Sequence, residues 1–125
     1  MNNKEIVQTA MVEVFIKKDL TAIDRYWSKQ YIQHSPYSAN GVDELFNIVK
    51  NLKPDFKYEP GIIIAEGDIV MMHGRYTGWA PKPLMAVDIF KVQNGKLVEH
   101  WDVMQEEVPA NKTKTGNSML SSVNK

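Results

Sequence analysis

Four segments of β character, residues 56–65, 69–78, 84–92 and 96–105, follow one another across very short connections. These are Glu66-Gly67-Asp68, Trp79-Ala80-Pro81-Lys82-Pro83 and Gln93-Asn94-Gly95. A crossover between parallel neighbours needs a dozen or more residues, so consecutive segments must run antiparallel as a meander. Such a sheet has one face to bury, and the rest of the chain has to cover it.

The cover is helical. Ile6, Val7, Ala10, Met11, Val14 and Phe15 recur at i, i+4 spacing, and Asn2 with Glu5 forms a capping-box pair, which predicts a first helix over residues 3–18. Thr21 and Asp24 cap a second, with Ile23, Tyr26 and Trp27 as its apolar side, ending near Ser28. Pro36 drives Ser35 out of helical geometry, so Tyr31-Ile32-Gln33-His34-Ser35-Pro36 is extended. Asn40 and Asp43 cap a third helix, striped by Val42, Leu45, Phe46, Val49 and Leu52 and stopped by Lys53-Pro54. Three helices before a meander predict an α+β layer fold, and 125 residues suit one domain, over 1–108. The polar stretch 109–125 reads as a tail, poorly ordered or docked on a partner chain.

With 15 basic and 15 acidic residues and no block of like charge, the footprint of a nucleic-acid or membrane-surface binder is missing. The chain has no cysteine, which excludes disulfides, thiolate ligands and cysteine nucleophiles. No signal-peptide block and no apolar run of the roughly 20 residues that span a bilayer is present, so a soluble, cytoplasmic protein is expected. Neither a phosphate-binding glycine loop nor a nucleophile elbow occurs.

Titratable groups gather in the last two segments. A two-residue Asn94-Gly95 turn would pair Gln93 with Lys96 and set Asp88 opposite Trp101. A three-residue turn with Gly95 in a bulge would pair Val92 with Lys96 and bring Asp88 opposite His100. The second register segregates Asp88, His100 and Asp102 with Phe90 and Val98 on one face, and Val87, Ile89, Leu97, Trp101 and Val103 on the other. Burial normally decides such a slip, and this segregation favours the bulged turn. Carboxyls beside an imidazole perturb one another's proton affinity and suit acid–base work next to a carbonyl; a solvated polar patch is the competing reading.

His73 joins the cluster if the face it shares with Met71 and Arg75 is the inner one. A metal site can be drawn from His34, His73, His100, Asp88 and Asp102. No H-x-H or H-x₃-H pair supports it, and no metal is expected. Trp27, Tyr31, Phe46, Tyr76 and Trp79 could line a pocket for a ring-shaped ligand or be plain core. The Trp79–Pro83 connection reads as a proline-stiffened link rather than a lid.

Tyr31-Ile32-Gln33-His34-Ser35-Pro36 after two helices, Ala65-Glu66-Gly67-Asp68, and the run IFKVQNGKLVEHWDV from Ile89 together resemble the SnoaL-like polyketide cyclase family of the NTF2-like superfamily, over about residues 4–107. The resemblance implies a cone-shaped α+β barrel: a strongly curved antiparallel sheet on a long N-terminal helix, a pocket between them, and often a homodimer through the sheet. Characterised members close a polyketide ring by aldol condensation without metal or organic cofactor. The aspartate matching Asp102 acts there as acid/base, assisted from the adjacent strand by a polar group, often histidine and here Asp88. The histidine matching His34 points into the cone mouth. Isomerases, epoxide hydrolases, dehydratases and non-catalytic binding modules share the superfamily, so the resemblance specifies a site and not a reaction. The expected catalytic set is Asp102, Asp88, His100 and His34, with His73, Tyr31, Trp27, Phe46 and Phe90 against a small apolar carbonyl compound. Trp101 is expected outside, at a dimer interface.

Overall fold

A computed structural model describes residues 1–121. Helix α1 (Asn3–Met11) opens with the expected capping box: Glu5 N–H donates to Asn2 Oδ1 at 2.8 Å, and Asn2 N–H to Glu5 Oε1 at 3.1 Å. It widens into a π-helical turn over Val12–Ile16 and stops where Lys18 turns left-handed at φ 56°. The second helix, α2 (Thr21–Tyr26), has Leu20 and not Thr21 at its N-cap and no side-chain cap there; Asp19 Oδ1, one residue earlier, accepts from both the Thr21 N–H (3.0 Å) and its hydroxyl (2.6 Å). Arg25 ties α2 to the end of α1 through Glu13 at 2.7 Å and Asp19 at 3.1 Å.

Strand β1 (Trp27–Gln33) leaves α2 with no loop between them, four residues before the extended piece read from sequence. The pattern is ambiguous there because Trp27 and Tyr31, four apart, share a face in a helix and in a strand alike; both are buried. Pairing with a distant strand decides it. Helix α3 (Asp43–Lys50) begins without a side-chain cap, because Asn40 instead accepts from the Gln33 N–H at 2.8 Å. The meander follows as β2 (Lys57–Glu66), β3 (Ile69–Thr77), β4 (Leu84–Gln93) and β5 (Lys96–Glu106).

The sheet has the order β1-β5-β4-β3-β2 and remains open. It is mixed rather than antiparallel throughout, because β1 runs parallel to β5, reached through three intervening strands. Interruptions of register in β1/β5, β2/β3 and β4/β5 are the bulges that curve a sheet. Val70, Met72, Tyr76, Ala86, Phe90, Val92 and Leu97 line the inner face and form one core with Ile6, Val7, Ala10, Met11, Val14 and Phe15. Gly74 is required in this layer: a Cβ there would sit 2.7 Å from the Tyr58 ring.

The β4–β5 hairpin corrects both readings of its register. The turn is the tight one: Asn94 (φ 53°) and Gly95 (φ 76°) are both left-handed, and Gln93 pairs with Lys96. Leu97 therefore faces inward opposite Val92, fully buried, and not outward as the bulged turn required. The bulge comes two residues later. Val92 pairs with Leu97 but Lys91 with Glu99, so Val98 is the extra residue and every side chain beyond it changes face. Phe90 then faces His100 and Asp88 faces Asp102.

Beyond β5 the chain lies back on its own sheet. Glu107 accepts from Arg75 of β3 at 2.8 and 2.6 Å, and Leu120 and Ser121 sit against Gly61 of β2. Leu120 and Ser121 thus lie against β2 of the same chain, and residues 122–125 of the expected tail fall outside the described residues. No helix among the described residues is long and apolar enough to cross a membrane.

Candidate active site

Asp88 and His100 project from neighbouring strands into the layer between sheet and helices, 3% and 7% exposed. Asp88 Oδ1 lies 2.8 Å from His100 Nε2, while Asp88 Oδ2 accepts from the Tyr76 hydroxyl at 2.7 Å. On the far side of the ring, His100 Nδ1 is 2.6 Å from Gln33 Oε1, which also accepts from the Ser35 N–H at 3.1 Å. That oxygen is an acceptor, so Nδ1 carries a hydrogen and donates. The contact between Nε2 and Asp88 Oδ1 is the second hydrogen bond of the ring. The relay Ser35–Gln33–His100–Asp88–Tyr76 is satisfied at every link, as buried polar groups must be.

Asp102, paired across the strands with Asp88, is the member of the cluster that faces open space. Burial pushes its carboxyl above the ordinary range, opposed by His100 nearby, reinforced by Asp88 and opposed again by the Ser35 side chain. Burial also drives the Tyr76 hydroxyl far up, with the Asp88 charge adding to it, so Tyr76 stays a donor.

These groups line a cavity of about 510 Å³ whose walls include Trp27, Tyr31, Tyr76, Trp79 and Phe90. Tyr31 stacks on the His100 ring at 6.2 Å between centroids, and Phe90 meets it at 4.8 Å. Trp79 stacks on Tyr76 at 4.4 Å, so the start of the Trp79–Pro83 connection is wall. Two buried side-chain polar atoms among the described residues have no partner, Trp27 Nε1 and Tyr58 Oη.

Of the residues read from sequence, Asp88, His100, Asp102, Phe90, Tyr31 and Trp27 come together here. Three do not. His34 lies outside: its ring stacks parallel on Trp101 at 4.9 Å, and its Nε2 meets Glu99 Oε2 at 2.6 Å. Gln33 is the residue turned inward, and its neighbour is carried to the opposite face by strand alternation. His73 is also on the outer face, because Met72, Gly74 and Tyr76 take the inner positions of β3. Phe46 packs against the core, while Glu44, Leu45 and Ile48 of α3 reach the cavity.

Gln33, which holds the histidine, and Ser35, which holds Gln33, are named in the sequence reading but given no site role there, and the bond from Tyr76 is not foreseen. A signal existed: Tyr31, Gln33 and Ser35 alternate, so an inward Tyr31 implies inward partners at the next two odd positions. The ligating atoms of Asp88, His100 and Asp102 lie within 4.8 Å of one another, the arrangement a divalent ion would use. Asp88 and His100 are committed to each other and Asp88 also to Tyr76, so an ion would have to break these hydrogen bonds.

A curved, open α+β sheet with an acid–base cluster between sheet and helices defines an NTF2-like fold. The chain belongs to the SnoaL-like domain family, whose model matches residues 9–100. Among solved structures it is similar to a protein from Acidithiobacillus ferrooxidans provisionally named a polyketide cyclase, at 21% identity and TM-score 0.69, over 82% of this chain and 87% of that one. IdmH from Streptomyces antibioticus, also provisionally named a polyketide cyclase, matches at 16% identity and TM-score 0.69, over 84% and 93%. An NTF2-like protein of unknown function from Cytophaga hutchinsonii matches at 14% and 0.72, over 84% and 91%. At these identities the likeness is one of fold. No curated protein matches the chain in sequence.

Proposed function

We propose that this chain is a cofactor-independent SnoaL-like enzyme performing acid–base chemistry, an aldol cyclisation or an isomerase-type proton transfer, on a small apolar carbonyl compound in the cavity. One observation carries the reading: a carboxyl of raised proton affinity, Asp102, stands beside the buried Asp88–His100 pair in a cavity walled in part by aromatic rings. Asp102 removes the proton next to the carbonyl and returns it after the bond change, the work for which enzymes raise a carboxyl pKa by burial. The Asp88–His100 pair, braced by the Tyr76 hydroxyl on the other Asp88 oxygen, sets the charge around Asp102, His100 lowering and Asp88 raising its proton affinity. His34 has no part in this step.

The test is hydrogen exchange. In D₂O, NMR of small cyclic ketones mixed with the protein is expected to show deuterium entering the α-position, and Asp102→Asn is expected to abolish it. Ketones that bind without exchange would instead support the second reading, a non-catalytic NTF2-like binding module. We further propose that two copies associate through the outer face of the sheet, where Ile64, Met71 and Val103 are 59%, 37% and 69% exposed and Trp101 lies among them.

A further inference from the structure

The whole chain is balanced, with 15 basic and 15 acidic residues. The cavity is not. Its charged lining consists of Asp88 and Asp102 on the sheet, Glu44 from α3 and Glu106 at the end of β5, and no Lys or Arg of the described residues reaches it. Asp88 is matched by His100. Glu44, Asp102 and Glu106 form no ion pair among the described residues, although Glu13, Glu59, Glu99 and Glu107 elsewhere each have one.

Phe15, Trp27, Tyr31, Tyr76, Trp79 and Phe90 contribute aromatic rings to the remaining wall. Ring faces carry negative quadrupole charge and attract cations, and carboxylates in a cleft with low-dielectric walls reinforce that field. An anionic ligand would meet three unpaired carboxylates and no cation to receive it. A cationic one would meet both kinds of attraction.

We infer that the substrate or ligand is a small apolar ring compound bearing a protonated amine, its ring among the aromatic side chains and its ammonium held at the rim by Glu44 and Glu106. This rests on the reading of the cavity as the binding site and adds the charge of what enters it. Asp102 stays free for proton transfer, and the rim carboxylates set specificity.

Three probes of matched ring decide it: 2-naphthylmethylamine, 2-naphthalenemethanol and 2-naphthoate, titrated calorimetrically into the full chain at pH 7. The amine is expected to bind about tenfold more tightly than the alcohol, from ion pairing at an exposed rim plus a cation–π contribution. The naphthoate is expected not to bind. Added salt should weaken the amine alone, and Glu44→Gln with Glu106→Gln, shown by thermal melt to be folded, should bring the amine to the alcohol's affinity. Equal binding of amine and alcohol, binding of the naphthoate, or an amine preference that survives both substitutions would overturn the inference while the cavity reading stood. If none of the three binds, both fall together.

Discussion

At the scale of single residues, the proposed function rests on Asp102, and the arrangement beside it on Gln33, which accepts from His100 and Ser35. Burial raises the Asp102 pKa above 3.8, so the folded chain holds that proton more tightly than the unfolded one. A carboxyl of this kind contributes nothing unfavourable below its unfolded pKa and weakens the fold as pH rises through the raised value. Thermal melts of Asp102→Asn against the parent are therefore expected to coincide near pH 3 and to favour the variant at pH 7, whereas α-proton exchange should fall by about 10²–10⁴-fold. Gln33→Leu leaves the Ser35 N–H and the His100 Nδ1–H without their common acceptor, and urea unfolding should register a loss of about 1–3 kcal/mol. The ¹⁵N shifts of the His100 ring should move with it, which a purely structural loss would not produce. His100 and Asp102 were legible in the sequence as a pair, because strand alternation alone puts i and i+2 on one face, whereas the place of Asp88 depended on the hairpin register. His34 and His73 were not, since the face they take depends on which neighbour is turned inward.

Among the elements, the β4–β5 hairpin holds the site together through two local devices whose effects combine. The Asn94-Gly95 turn sets Leu97 inward, and the bulge at Val98 then returns His100 and Asp102 to that same face. Gly95→Ala forces a Cβ into left-handed backbone and is expected to cost about 1–2 kcal/mol, measured by denaturant titration, with the cluster intact. Deleting Val98 is the sharper experiment. It removes the extra residue, so His100 and Asp102 must turn outward or Leu97 must; NMR titration should then find the Asp102 carboxyl in the ordinary range, or the chain should fail to fold. The sequence reading placed the bulge in the turn itself. It reached the right face by the wrong route: the expected turn and the observed bulge shift the register in opposite directions, so the same groups face inward, but Asp88 meets Asp102 rather than His100 and Leu97 is buried rather than outward.

For the whole molecule, the proposed pairing of two copies rests on the exposed apolar groups of the outer face, Ile64, Met71 and Val103. Sedimentation velocity is expected to give a dimer for the parent chain and a monomer for Val103→Glu with Met71→Glu, both folded. The strands of the meander, the capping box at Asn2 and the shared face of His100 and Asp102 followed from the sequence, since each rests on spacing, turn chemistry or contacts within a few residues. The parallel docking of β1 beside β5, which brings Gln33 to His100 across 67 positions, did not. Nor did the capture of Asn40 by the Gln33 backbone or the absence of charge compensation around the cavity. These are pairings between distant segments, chosen by burial once the sheet has formed, and one-dimensional periodicity holds no record of which distant partner a residue will meet.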